Sequence, residues 1–159
     1  MTAQLRHLEL EIDRGELDSA IRSLQSITRD IEEAKGELAE DLVEPLCLYA
    51  RALSKRDGWR TFGWAEECAL RRALTIARSA HGESSDQVAR IHRMLAVSLR
   101  AANRTVEANE HMRRVVAHCE RTRREGPVLA RALREHAEIL FELRDASEAL
   151  VVLERCAHM

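Results

Sequence analysis

Residues 91–108 read IHRMLAVSLRAANRTVEA, and residues 132–149 read ALREHAEILFELRDASEA. Laid one over the other, Ala96 falls on Ala137, Leu99 on Leu140 and Ala108 on Ala149, each pair 41 residues apart. In both stretches the two alanines stand twelve apart across a polar break, Asn103 to Thr105 in one and Asp145 to Ser147 in the other. Apolar residues before each break recur at spacings of three and four, the stripe of an amphipathic helix. A small residue on either side of the break has a physical reason: where the two helices of a hairpin cross, a large side chain would hold the backbones apart. A connection this short makes the helices antiparallel. The pair of stretches therefore predicts a repeated helical hairpin.

The same register extends toward the N-terminus. Gly36 aligns with Gly82; nine residues before each lie Ile27 and Ala73, and fourteen after each lie Ala50 and Ala96. One uninterrupted apolar stripe runs through Leu17, Ala20, Ile21, Leu24, Ile27, Ile31 and Ala34, and another through Leu129, Leu133, Ala137, Leu140 and Leu143. No stretch alternates with the period of two that a half-buried strand requires. Breaks at Gly15, Gly36, Asp57 to Gly63, His81 to Ser85, Asn103 to Thr105, Glu125 to Pro127 and Asp145 to Ser147 divide the chain into about eight helices. Ser85 and Thr105 are expected as N-caps, with Asp86 and Glu107 adding negative charge near the positive helix end. Pro45 fits only if the third helix starts near Leu42 or Val43, so that the ring sits in the first turn. The expected layout is one domain over 1–159, with units near 1–35, 36–81, 82–125 and 126–159.

Composition agrees. Of 159 residues, 45% are apolar and 33% charged, a globular balance, while only 3% are aromatic and the net charge is -2. That charge gives no global attraction to nucleic acid or to an anionic membrane. The 25 basic residues include only two lysines, Lys35 and Lys55; the rest are arginines, through coding bias or through selection for guanidinium forks. Cys47, Cys68, Cys119 and Cys156 form no CxxC pair, so neither a zinc site nor a dithiol centre is indicated. Reduced, buried thiols in a cytoplasmic protein are expected. The N-terminal stretch lacks the apolar run of a signal peptide, and no segment is long enough to span a membrane.

At these residues the chain resembles tetratricopeptide (TPR) repeats, in particular the longer variety found in kinesin light chain. Gly15-Glu16-Leu17-Asp18-Ser19-Ala20 is similar to that family's turn and second-helix opening. His81-Gly82-Glu83 with Val88-Ala89, and Gly126-Pro127 with Leu129-Ala130, are similar to its inter-repeat linker. The resemblance implies an all-α right-handed superhelix of stacked hairpins, non-enzymatic, with protein partners lying against the first helix of each unit. Leu8 and Glu66 stand where the family places small residues.

If that register holds, Glu44, Cys47, Arg51 and Lys55, then Arg90, Arg93, Val97 and Arg100, then Arg131, Arg134, Glu138 and Phe141 line the groove. Its cations, Arg51, Lys55, Arg90, Arg93, Arg100, Arg131 and Arg134, outnumber Glu44 and Glu138, so an acidic peptide segment is the expected ligand. The alternative is a solvated face whose charges meet nearby glutamates. The loop carrying Trp59, Phe62 and Trp64 is expected either to dock a partner or to fold back as a plug. The last helix is apolar on more than one side, which points to a homodimer through that end. His111 and His118 lack a third ligand at a recognised metal spacing, and neither a hydrolase-type serine turn nor a glycine-rich phosphate loop is present, so no metal, cofactor or catalysis is expected. Arg113-Arg114 and Arg121 to Arg124 make nucleic acid the first rival partner, and a small-molecule sensor or enzyme accessory subunit the second.

Overall fold

The computed structural model describes residues 2–58, 63–122 and 126–157. Among these the chain forms eight α-helices: α1 (Thr2–Arg14), α2 (Leu17–Lys35), α3 (Val43–Asp57), α4 (Trp64–His81), α5 (Asp86–Ala101), α6 (Thr105–Arg121), α7 (Pro127–Glu142) and α8 (Ala146–Ala157). One 3-10 turn, Glu40–Leu42, leads into α3. No strand occurs among the described residues. Where the expected breaks fall among the described residues, helices end or begin within one or two residues of them. Pro45 does fall in the first turn of its helix, where its missing N–H costs nothing.

The turns repeat as the side chains do. Glu16, Arg104 and Asp145 donate their backbone N–H to carbonyls five residues earlier, on Glu11, Leu99 and Leu140, at 3.0, 2.9 and 3.0 Å. Each bond encloses one residue in the left-handed region: Gly15 at φ 88°, Asn103 at 59° and Arg144 at 60°. Glycine and asparagine accept that conformation readily, whereas arginine adopts it against its Cβ. Between hairpins another turn recurs, at Gly36 (φ 90°) and Gly82 (φ 77°), each donating to the carbonyl four residues back.

Ser85 caps α5 as expected, its Oγ accepting the Val88 N–H at 3.3 Å. Thr105 does not act as a cap. The cap position belongs to Arg104, and Thr105 is already the first helical residue. Asp145 caps α8 instead, its Oδ1 accepting the Glu148 N–H at 3.1 Å. That bond, with the Ser147 hydroxyl, holds the Asp145 carboxyl below the usual range.

The chain divides into two compact units, Met1–Ile91 and His92–Met159. In the first, α1 packs on α2, and α3 rests on both while pairing with α4. Ile12, Leu24, Leu42, Leu70 and Ile76 are fully buried there, and the small Ala20, Ala50 and Ala73 are buried with them. Leu8, large where the repeat favours a small residue, is buried as well. Glu66 is also buried, in the first turn of α4, where the positive helix end favours a carboxylate. In the second unit, α7 packs on α6 and α8 around Leu95, Leu99, Met112, Leu133, Ile139 and Leu140.

Candidate functional site

The cations singled out in the sequence all lie on the first helices of hairpins, α3, α5 and α7, and almost all of them meet carboxylates. In the first unit, Arg51 donates to Glu9 at 3.0 Å and to Asp13 at 2.5 Å, while Lys55 reaches Asp13 at 3.1 Å. The Lys55 hydrogen bond, reinforced by Arg51, holds the Asp13 carboxyl below its usual range. Arg90 forks onto both oxygens of Glu44. In the second unit, Arg93 forks onto Glu135 at 2.7 and 2.5 Å. Arg100 bridges Glu138 at 2.6 Å and Glu142 at 2.8 Å, and Arg131 reaches Glu135 at 3.2 Å. Second helices are tied likewise, Arg72 to Glu32 and Arg155 to Glu120.

These pairs change the charge count. Glu9, Asp13, Glu135 and Glu142 face the seven cations beside Glu44 and Glu138, which leaves a surplus of one rather than five. The odd member is Arg134. It is exposed on α7 and makes no ion pair among the described residues. It borders two hollows of the second unit. One, of about 330 Å³, is lined by Ala137, Phe141, Ala149 and Leu153 together with the ion-paired Arg100, Glu138 and Glu142. The other, of about 400 Å³, is walled by Pro127, Ala130, Arg131 and Cys156. Phe141 is 75% exposed, and Leu153 45%. Val97 is half-buried and Cys47 is buried, so Cys47 lines nothing; burial pushes its thiol up to about 12. Cys119 is buried too, but Cys68 is exposed, contrary to the expectation for all four thiols.

Trp59 and Phe62 lie outside the described residues. Trp64 opens α4 and is 82% exposed, so it plugs no core. Of the expected basic runs, Arg113, Arg114 and Arg121 are exposed, while Arg123 and Arg124 lie outside the described residues. His111 and His118 do not act together. His111 turns to His92 of α5, Nδ1 to Nδ1 at 2.7 Å, so one ring donates and the other accepts. The buried His118 meets Arg121. Sequence reading missed His136, buried on α7, whose Nε2 donates to the Asn109 Oδ1 at 2.9 Å. Burial lowers its pKa, and its Nδ1 has no partner among the described residues. Among the described residues no three His, Cys, Asp or Glu side chains gather as a metal site. None of the helices is long and apolar enough to cross a membrane.

Among the described residues, eight helices in hairpins, a repeating turn and buried small residues at the positions the period marks define a TPR-like helical repeat. The solved structures it matches have that fold. One is a Podosopora anserina protein described as a kinesin light chain with nearly identical TPR-like repeats. It is 18% identical, with a TM-score of 0.86 over 98% of this chain and 72% of its own. Another is BtubC (BKLC) from P. vanneervenii, 15% identical, with a TM-score of 0.83 over 95% of this chain. The chain spans only 59% of BtubC. No protein-family model matches the sequence, and no curated protein matches it either.

Proposed function

We propose that this chain is a non-enzymatic, cytoplasmic protein-interaction module whose first-helix face receives an acidic segment of a partner, with Arg131 and Arg134 as the anchoring cations. Arg134 carries the reading: it is an exposed guanidinium without an ion pair among the described residues, on a face where the other cations are already engaged. A guanidinium fork receives a carboxylate bidentately, and Arg131 beside it shares its one acidic neighbour with Arg93. Arg51, Lys55, Arg90, Arg93 and Arg100 then act mainly as ties between helices, contributing to the field more than to contact. Separated thiols, two of them buried, suit a reducing compartment.

The test uses a fluorescein-labelled peptide rich in glutamate, read by anisotropy. Arg134→Glu is expected to weaken binding at least about tenfold while leaving the unfolding curve in place. Raising salt should weaken the wild-type complex. Equal binding of a glutamine analogue, or indifference to Arg134→Glu, refutes the reading, and preference for a homopolymer nucleic acid would replace it.

A second reading concerns α8, where Leu150 and Val151 are 60% and 55% exposed. Two copies pair through that helix. Sedimentation should give a dimer that Val151→Glu turns into a monomer, and a wild-type monomer removes this reading.

A further inference from the structure

His136 stands on α7 almost entirely out of water, with 5% of its surface exposed. The helix asks for an apolar residue at this place, because Ala132, Leu133, Ile139 and Leu140, one turn to either side, are all buried and apolar. The imidazole that takes the place brings two ring nitrogens to satisfy. Nε2 donates to the Asn109 Oδ1 on α6 at 2.9 Å, so the neutral ring carries its proton on Nε2. Nδ1 is left with a lone pair, buried and without a hydrogen-bond partner among the described residues. An orphaned buried acceptor costs the folded state stability.

A proton added to Nδ1 makes the site worse. The lone pair becomes an N–H with no acceptor, and the ring becomes a cation removed from water. Both penalties vanish when α7 parts from α6 and the ring reaches solvent. The surrounding charges do not reverse the balance. From α6 the ring feels Arg113, which opposes a second positive charge, and from α8 it feels Glu148, which favours one. Arg93 and Arg100 of α5 are taken up by Glu135, Glu138 and Glu142 of α7 itself. Burial, aided by Arg113, outweighs Glu148 and holds the His136 pKa below the ordinary 6.5.

We infer that His136 is an acid-sensitive latch in the second unit: proton uptake at Nδ1 favours the state in which α7 has come away from α6, so the α6–α7 seam opens in mild acid. The opened state binds the proton at the ordinary value and the closed state only below it. The seam is therefore tightest above pH 6.5 and loosens as the pH falls from there toward the folded value. A single proton limits the response to at most about tenfold in the opening constant per pH unit. The window lies above that of Glu135, whose carboxyl stays ionised throughout it. Since α7 also carries Arg131 and Arg134, opening would loosen the cations assigned to an acidic segment. That consequence rests on the reading above; the latch itself does not.

Hydrogen exchange of the full chain, followed by mass spectrometry and corrected for the intrinsic pH dependence of amide exchange, tests the latch. Between pH 6.5 and 5.5, opening of peptides from α6 and α7 should rise at least about threefold. Peptides from α2, a helix without histidine, should change little. His136→Gln keeps an amide donor near the Nε2 position and cannot take up the proton, so its α7 opening should not respond to pH over this unit, whatever its level. Asn109→Asp sets a carboxylate on the Nε2 proton, which favours the imidazolium, and should cancel or invert the response. If His136→Gln fails to fold, Asn109→Asp decides alone. A ring that serves packing only would leave the pH response of these variants equal to wild type, and that result overturns the inference. A wild-type rise shared equally by α2 overturns it too. Either result leaves capture of an acidic segment to be decided by the Arg134→Glu anisotropy experiment.

Discussion

Leu24→Ala is expected to lower the unfolding free energy by roughly 2–5 kcal/mol, the range for deleting a fully buried leucine side chain. Leu24 has no exposed surface, and it lies on the α2 stripe between Ala20 and Ile27, in the helix that packs against α1 and α3. The cost should fall in the upper part of that range. Ala20 is already small, so it offers no atoms to swing into the gap, and Ile27 is a β-branched side chain with little rotamer freedom on a helix. The cavity therefore persists, and its lining loses contacts that nothing replaces. Urea unfolding followed by circular dichroism reads this as a lower midpoint with an unchanged slope. A loss below 1 kcal/mol would mean that α1 and α3 close over the site, against the alanine-spaced crossing that the repeat requires.

The crossing was legible because it depends on residue size, and size is written in the sequence. Ala96, Ala108, Ala137 and Ala149 reveal the period without any knowledge of the turn between them. The exceptions have local causes. Glu66 breaks the size rule because a carboxylate in the first turn of α4 meets the positive helix end. Thr105 looks like a cap, but the turn enclosed by the Leu99 carbonyl starts α6 one residue earlier than a threonine cap would allow. Nothing about Arg144 announces a left-handed residue; only its place 41 residues after Asn103 does. The charge pattern of the first helices was half legible. First-helix cations were found by helical register within each unit, whereas their partners sit on another hairpin. Pairing opposite charges at a spacing of 42 would have found Glu9, Asp13, Glu135 and Glu142.

Glu135→Lys should cost about 3 kcal/mol, the lower end of the range for removing one partner of a buried ion pair. The Glu135 side chain is only 12% exposed, and it accepts two hydrogen bonds from Arg93 and one from Arg131. A lysine there would leave three cations together with no carboxylate between them. The lower end applies because the Arg93 side chain keeps 31% of its surface in water, which screens the repulsion. Glu135→Gln, which keeps an acceptor and adds no charge, should cost about half as much. The pH dependence separates charge from shape. Burial pushes the Glu135 carboxyl up, but the Arg93 and Arg131 guanidiniums more than offset this, so its folded pKa lies below the ordinary glutamate value of 4.5. Stability from this group is therefore fully present above pH 4.5 and is lost as the pH falls through the folded value. Wild type should lose stability over that acid window, and both variants should show a shallower acid slope in urea melts at stepped pH. A slope equal to wild type in the Gln variant would mean that the Arg93–Glu135 tie contributes nothing to folding. The α5–α7 contact would then depend on packing alone, and α7 would hold Arg134 in place without help from the ion pairs around it.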